Sequence, residues 1–142
     1  MPTKKIFVVI HNSRYDKKRR AGGDFADLPG VIDDAVNAKK GMVGLGASIF
    51  DIRDYEDVNY KTFVHLFEAL NVELYKNNSV GEKTLLFIYY AGHGIVDNMT
   101  FAVTNEDQDF PLEQNIRQIA NVEGSYVVAL FDCSRQRRSN FA

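Results

Sequence analysis

The chain has 142 residues, a length typical of one domain, and 45% of them are hydrophobic, enough for a core without disulfides or metal. Seventeen Lys and Arg against 19 Asp and Glu give a formal net charge of −2, which indicates neither a nucleic-acid nor a membrane-surface partner. No apolar run approaches the roughly 18 residues of a membrane span, and the N-terminus lacks a signal-peptide pattern, so we expect a cytoplasmic protein. The single cysteine, Cys133, excludes an intramolecular disulfide.

The first half of the chain alternates strand and helix patterns. Residues 4–10 are apolar and β-branched, which predicts a first strand. A helix is expected from about residue 27 to Gly41, followed by a second strand over 47–53. Residues 59–78 predict a strongly amphipathic helix with Asn59 as its N-cap. The apolar residues near one face of the first helix are Val31, Ala35, Ala38 and Met42.

The second half continues the alternation. Residues 85–90 are six consecutive apolar or aromatic residues and predict a strand buried on both faces. A short strand over 99–104, half of a hairpin, precedes a helix that opens at 109–111 and ends near Asn121. Residues 126–131 predict another fully buried strand. This order is typical of an α/β fold with a mainly parallel central sheet and helices on both faces.

Both buried strands end in residues that can carry chemistry. The strand over 85–90 leads into Gly-His-Gly at 92–94, and the strand over 126–131 leads into Asp-Cys-Ser at 132–134. Because parallel strands share one carboxyl edge, we expect His93 to lie near this second motif. The imidazole would serve as a general base for a thiol or hydroxyl, and the Gly94 backbone amide is a candidate oxyanion donor.

These two motifs together resemble the caspase-like cysteine proteases. A strand with YYAGHG, a helix, and a strand with FDCSRQRR are similar to the large-subunit (p20) region, closest to the paracaspase and metacaspase branches. Residues 28–34 match the segment that enters the first helix, and the resemblance spans nearly the whole chain. It implies a single p20 domain over 1–142 with a caspase-like three-layer fold. We expect no cofactor and no metal, since Glu106, Asp107 and Asp109 show no ordered ligand spacing.

The nucleophile position has two candidates, Ser134 and Cys133. Family members usually read Asp-x-Cys, so alignment on Asp132 places Ser134 there. Strand alternation agrees if the extended conformation continues to residue 134, and a loop shifted by one residue would instead present Cys133. We favour Ser134, either as a native residue of an inactive relative or as a Cys→Ser replacement. A serine is a poor substitute, because its hydroxyl is far less acidic than a thiol.

The resemblance also implies a substrate preference. In paracaspases and metacaspases, an Asp on the first helix and the Asp before the nucleophile line a pocket for Arg or Lys at P1, and the matching residues are Asp34 and Asp132. Carboxylates fit the guanidinium fork of arginine bidentately. The segment 20–22, Arg-Ala-Gly, is superficially similar to the aspartate-binding segment of true caspases, so Asp specificity is the less favoured alternative.

The expected partners follow from the same resemblance. They are protein or peptide substrates with a basic P1 residue, a small-subunit segment that adds strands and completes the cleft, and a second copy of the chain. We expect the small-subunit part to lie outside this chain. Arg135, Arg137 and Arg138 are candidate self-processing sites.

Two functions from different classes remain. The leading one is a cysteine endopeptidase with His93 as the base, and the alternative is a catalytically inactive module that binds peptide or protein through the same cleft. Retained Asp34 and Asp132 fit both, because binding a basic side chain needs no nucleophile. A serine hydrolase that pairs His93 with Ser134 is disfavoured, since the sequence shows no convincing third triad member.

Overall fold

The computed structural model describes residues 4–15, 25–44, 51–106, 108–133 and 135–137. Within these ranges the helices are α1 (Gly30–Gly44), α2 (Tyr60–Ser79) and α3 (Leu112–Ala120). The strands are β1 (Lys4–His11), β2 (Asp51–Glu56), β3 (Thr84–Ala91), β4 (Gly94–Asp97), β5 (Met99–Val103), β6 (Asp109–Phe110), β7 (Ser125–Asp132) and β8 (Arg135–Arg137).

The central sheet has the order β2-β1-β3-β7, and every neighbouring pair is parallel. Helix α1 packs on one face of this sheet, while α2 and α3 pack on the other. Parallel neighbours need long crossover connections, which the helices supply. The predicted three-layer α/β fold, with a mainly parallel sheet and helices on both faces, is confirmed.

Strand periodicity decides which residues meet each layer of helices. In β1, Ile6, Val8 and Ile10 join the core on the α2 and α3 side, whereas Phe7 and Val9 join the core on the α1 side. The register then places His11, Ala91 and Asp132 side by side on the α1 face at the carboxyl edge. Asp132 therefore lies at the edge where an α/β sheet binds its ligands.

Helix α2 follows its sequence pattern closely. The side chain of Asn59 accepts a hydrogen bond from the Thr62 N–H at 2.9 Å, so the predicted N-cap is confirmed. Its apolar residues are buried against the sheet, as the helical spacing predicts: Phe63, Leu66, Phe67, Leu70 and Leu74. Among the described helices, none is both long and apolar enough to cross a membrane.

Strand β7 departs from the prediction. The sequence predicts a strand buried on both faces, but the side chains of Tyr126, Val128 and Leu130 are 40–55% exposed. They alternate with Val127, Ala129 and Phe131, which pack against the core on the α2 and α3 side. The reason is position: β7 is at the edge of the sheet in the described part of the chain, and its side chains are not part of the core that α1 forms with β1 and β3. The prediction of a fully buried strand is wrong.

The observed ends of α1 and β2 differ from the predicted ends by a few residues. Helix α1 continues past the predicted end at Gly41 to Gly44, and its predicted apolar face is confirmed by buried Val31 and Ala35. The second strand is described as Asp51–Glu56, and it ends later than predicted. The predicted strand residues 47–50 lie outside the described ranges.

A second, smaller sheet has the order β6-β5-β4-β8. Strands β4 and β5 form the antiparallel hairpin that the pattern over 99–104 predicts, and β8 pairs with β4 in parallel. Strand β4 begins directly after His93, and β8 begins directly after residue 134. The small sheet therefore anchors the far ends of both loops that carry the sequence motifs.

Candidate active site

Two neighbouring loops build the site. One joins β3 to β4 and contains Gly92 and His93, and the other joins β7 to β8 and contains Cys133 and residue 134. Strand β3 pairs in parallel with β7, and β4 pairs in parallel with β8. The strands that precede the two loops pair with each other, and so do the strands that follow them. The two loops therefore lie next to each other. The expected proximity of the two motifs is thus a consequence of strand pairing at both ends.

The His93 imidazole is oriented by a backbone carbonyl. Its Nε2 lies 2.8 Å from the carbonyl oxygen of Ala26. A carbonyl only accepts, so Nε2 carries the proton in this bond and a neutral ring has its lone pair on Nδ1. The rings of Tyr15 and Phe25 pack against the imidazole, with centroids 4.7 Å and 5.0 Å away. His93 is therefore held in the tautomer that a general base at Nδ1 requires.

Two tyrosine hydroxyls hold the backbone of His93. The His93 N–H donates to Tyr15 Oη at 2.8 Å, and Tyr90 Oη donates to the His93 carbonyl oxygen at 2.7 Å. A Cβ on Gly92 would lie 2.6 Å from Tyr90 Oη and 2.8 Å from Tyr15 Oη, well inside van der Waals contact. The glycine before His93 is required because the two hydroxyls occupy the space that a side chain would fill.

The electrostatics of this pair keep both hydroxyls protonated. Burial raises the pKa of Tyr15 to about 12, although its hydrogen bond with the His93 backbone lowers it. Burial likewise raises the pKa of Tyr90 well above its ordinary value, and the neighbouring Tyr15 raises it further. At neutral pH both phenols are therefore neutral hydrogen-bonding groups.

The loop that joins β7 to β8, here called the nucleophile loop after its predicted role, is only partly described. A cavity of about 370 Å³ is lined by His93, Gly92, Asp132 and Cys133, together with Leu28, Val31 and Phe131. Cys133 is half-buried and packs against the core on the α2 and α3 side of the sheet, the side opposite Asp132. Ser134, the favoured nucleophile position, lies outside the described residues. The choice between Cys133 and Ser134 stays a prediction.

The two predicted substrate-binding carboxylates lie in one pocket. Asp34 on α1 and Asp132 at the end of β7 both line a pocket of about 510 Å³. The apolar part of its wall is formed by Phe7, Ala38, Met42, Phe87 and Leu130. Asp132 also lines the cavity that contains His93. The acidic pocket and the histidine cavity therefore meet at Asp132.

Tyr89 connects the strand before the histidine to the acidic pocket. Its hydroxyl donates to Asp132 Oδ2 at 2.8 Å, and the residue also lines the pocket. Burial raises the pKa of Tyr89 most, and the carboxylates of Asp132 and Asp34 raise it further. Tyr89, Asp34 and Asp132 therefore line the same pocket.

Gly94 is the first residue of β4 and is buried. Its strand neighbours are Ala102 on β5 and Arg135 on β8. This position beside the nucleophile loop is compatible with an oxyanion donor, and that role stays a prediction. The segment 20–22, whose similarity to the aspartate-binding segment of true caspases suggests cleavage after Asp, lies outside the described residues.

The sequence did not identify the groups that position His93. Ala26 acts through its carbonyl oxygen, which every residue has, so no residue type marks it. No role is predicted from the sequence for Tyr15, and Tyr89 and Tyr90 are predicted only as residues of a buried strand. A signal existed for the latter two, because a phenolic hydroxyl in a buried strand needs a hydrogen-bond partner. Two consecutive tyrosines before Gly-His-Gly therefore indicate polar contacts on both faces of the strand.

Residues 4–141 match the family model of the caspase domain, peptidase C14. No curated protein sequence matches the chain significantly. The match covers nearly all of the chain and includes both loops of the site, so the chain belongs to the caspase-domain family of cysteine peptidases.

Proposed function

We propose that this chain is the large-subunit part of an endopeptidase that cleaves after Arg or Lys by a Cys–His dyad. The observation that carries the proposal is the position of Asp132, which lines both the cavity with His93 and the pocket with Asp34. A basic side chain held between the two carboxylates would place its own peptide bond near His93. The geometry thus supports specificity and catalysis in one continuous cleft.

His93 is the proposed general base. The hydrogen bond from Nε2–H to the Ala26 carbonyl leaves Nδ1 to accept a proton, and the same carbonyl stabilises the imidazolium once it forms. This carbonyl takes the orienting role that an aspartate has in a serine protease triad. A triad-like arrangement therefore exists without a third catalytic side chain.

The proposed reaction begins at position 134 in a form that carries cysteine there. The thiol gives its proton to His93 Nδ1, and sulfur attacks the substrate carbonyl carbon. The Gly94 N–H stabilises the resulting oxyanion, and the imidazolium protonates the leaving amine as the peptide bond breaks. Water, deprotonated by His93, then hydrolyses the thioester. With Ser134 the first step is suppressed, because the hydroxyl is far less acidic.

The proposed partner of the chain is a small-subunit segment that extends the sheet. Strand β7 is an edge strand in the described part of the chain, and its α1-side face exposes Tyr126, Val128 and Leu130. An exposed apolar strand edge is a template for another strand. A strand paired there would place its own side chains beside these on the same face of the sheet and add a wall to the cleft beside Asp132. A second copy of the chain is the other candidate for this edge.

Self-processing is proposed at the basic residues after the nucleophile loop. Arg135 and Arg137 belong to β8, which pairs with β4, so cleavage after either requires this strand to leave the small sheet. Arg138 lies outside the described residues. We therefore expect processing to be slow in the folded chain and to accelerate when the β4–β8 pairing is weakened.

A non-catalytic peptide-binding module is the second candidate. Cys133 packs against the core, and the residue at the aligned nucleophile position is serine. The pocket with Asp34 and Asp132 needs no nucleophile to bind a basic side chain. If Ser134 is native, binding without turnover is the expected activity.

Hydrolysis of fluorogenic peptides with Arg, Lys or Asp at P1 tests these alternatives. The full-length protein is compared with Ser134 as given and with Ser134→Cys, so that any segment completing the cleft is present. We expect Arg or Lys cleavage only in the Ser134→Cys form, abolished by His93→Ala and by Asp34→Asn. His65→Ala, an exposed histidine of α2, is the matched control and should leave the rate unchanged.

The other outcomes discriminate among the proposals. Equal Arg or Lys cleavage in both forms assigns the nucleophile to Cys133. Cleavage after Asp alone rejects the acidic pocket as the P1 site. No cleavage in either folded form rejects the endopeptidase and favours the binding module.

A further inference from the structure

The hydroxyl of Tyr89 lies at the acidic pocket and is bonded to one of its two carboxylates. It donates to Asp132 Oδ2 at 2.8 Å. Burial and the charges of Asp132 and Asp34 raise the pKa of this phenol, so it keeps its proton and remains a donor at neutral pH. Tyr89 can therefore donate to Asp132 throughout the physiological pH range.

The strand register explains why Tyr89 reaches Asp132. Tyr89 is directly opposite Leu130, two residues before Asp132 on β7, so the contact is a diagonal one that a long aromatic side chain can span. The residue directly opposite Asp132 is Ala91, which has no polar side chain. Asp132 is exposed, and the bond from Tyr89 restricts the rotation of its carboxylate.

The bond uses one carboxylate oxygen and leaves the other as an acceptor. Since Tyr89 contacts Oδ2, Oδ1 of Asp132 and both oxygens of Asp34 can receive hydrogen bonds from a bound cation. The apolar wall of the pocket suits the methylene groups of a long basic side chain. A planar guanidinium needs acceptors in fixed directions, whereas an ammonium adjusts its three donors freely.

We propose that Tyr89 is a specificity-determining residue that orients Asp132 and makes the pocket prefer a guanidinium over an ammonium group. This inference rests on the proposed function, because it assumes that Asp34 and Asp132 bind the P1 side chain. Tyr89 acts through Asp132 and is a positioning residue. It selects arginine over lysine by fixing the direction of a carboxylate, without contacting the reacting atoms.

Binding of agmatine and cadaverine tests this without any need for turnover. Agmatine carries the guanidinium of an arginine side chain and cadaverine the ammonium of a lysine side chain. Each is titrated into the same full-length protein as in the hydrolysis assay and into its Tyr89→Phe variant, with amide chemical shifts as the readout. We expect agmatine to bind about threefold to tenfold more weakly to the variant, and cadaverine to change less, so that the preference narrows.

Two controls separate this effect from a general loss of structure. Tyr75→Phe alters a tyrosine of α2 that is 70% exposed and should leave both affinities unchanged. In an Asp132→Asn background, Tyr89→Phe should have no further effect on the agmatine preference, because the carboxylate that it orients is gone.

The outcomes distinguish the role of Tyr89 from the existence of the basic-side-chain pocket. Unchanged agmatine affinity in Tyr89→Phe, or equal weakening of both ligands, overturns the role of Tyr89 and leaves the acidic pocket intact. Absence of agmatine binding to the unmodified chain overturns the basic-side-chain pocket itself, and the inference about Tyr89 with it. A narrowed preference in Tyr89→Phe that disappears in the Asp132→Asn background supports both.

Discussion

At the residue scale, the position of His93 depends on contacts with its backbone as well as with its ring. Tyr15 and Tyr90 bind its N–H and its carbonyl, and Ala26 binds its Nε2. Three partners from different parts of the chain thus determine where Nδ1 points. A histidine on a glycine-flanked turn would otherwise be free to rotate, and an ångström of displacement at a reacting atom costs about 100-fold in rate.

Gly92→Ala tests this arrangement. The added Cβ would lie 2.6 Å from Tyr90 Oη, so the buried tyrosine or the turn must move. We expect a loss of about 1–3 kcal/mol in the free energy of unfolding, measured by urea denaturation. If the endopeptidase proposal holds, kcat of the Ser134→Cys form should fall about 10- to 100-fold with KM little changed.

Gly44→Ala is the matched control, because a Cβ there meets no atom of the described residues within 4 Å. Its stability should be unchanged or slightly raised, since alanine favours the helix. If Gly92→Ala were as stable and as active as Gly44→Ala, the contacts of Tyr15 and Tyr90 would not position His93.

At the scale of elements, β7 serves two purposes on its two faces. One face packs Val127, Ala129 and Phe131 into the core, and the other exposes apolar side chains. An apolar edge strand is a risk for aggregation unless a partner covers it. The strand that carries Asp132 into the site is therefore also the proposed docking surface of the segment that completes the cleft.

Val128→Thr tests the docking surface. Val128 is 40% exposed, and threonine keeps its shape and β-branching, so the stability of the isolated chain should change by less than about 0.5 kcal/mol. Association with the completing segment should weaken several-fold, because the threonine hydroxyl would be buried without a hydrogen-bond partner. Co-purification of the two parts, followed by titration, measures this association.

Val80→Thr alters an equally apolar residue that is 72% exposed, at the C-terminal end of α2. It should leave association unchanged. Equal affinity in Val128→Thr and the unmodified chain would show that the completing segment binds elsewhere.

At the scale of the whole molecule, two networks tie the edge strand β2 to the helices on both faces of the sheet. Arg53 forms a bidentate pair with Glu73 of α2, at 2.7 Å and 2.8 Å. On the other face, Asp54 binds Lys39 of α1 and also the Nε2 of His11, at 2.8 Å for the histidine. Two consecutive residues of one strand, whose side chains point to opposite faces, thus connect all three layers.

These carboxylates predict a loss of stability in acid. The hydrogen bond from Arg53 lowers the pKa of Glu73, although burial opposes it. Burial raises the pKa of Asp54, but hydrogen bonds from Lys39 and His11 outweigh it and the pKa is lowered. A carboxyl with a depressed pKa stabilises the fold above its ordinary value, 4.5 for Glu73 and 3.8 for Asp54. That stability is lost as the pH falls through the folded-state pKa.

The measurement is the free energy of unfolding from pH 7 to pH 3, for the chain and for a Glu73→Gln, Asp54→Asn double variant. Both pairs are partly exposed and screened by solvent, so we expect the variant to lose only about 1 kcal/mol at pH 7. Its stability should then decline less steeply below pH 4.5. Parallel pH profiles for the two proteins would contradict this account.

Much of the fold could be predicted because its signals are local. The run of apolar residues in β3, the N-cap of α2 and the spacing of apolar residues in α3 each lie within one segment. Burial of β7 could not be predicted in this way, since an apolar strand has the same residue pattern at the centre and at the edge of a sheet. Only the strand order decides which of its faces a helix covers.

The site divides in the same manner. In the sequence, a histidine and an Asp-Cys-Ser motif follow two predicted strands, and hence they share one edge of a parallel sheet. The contacts that hold the histidine in place depend on the tertiary structure. The Ala26 carbonyl is 67 residues from His93 and Tyr15 is 78 residues away. A contact over such a separation is set by the packing of loops, and a backbone carbonyl has no residue type by which a sequence could reveal it.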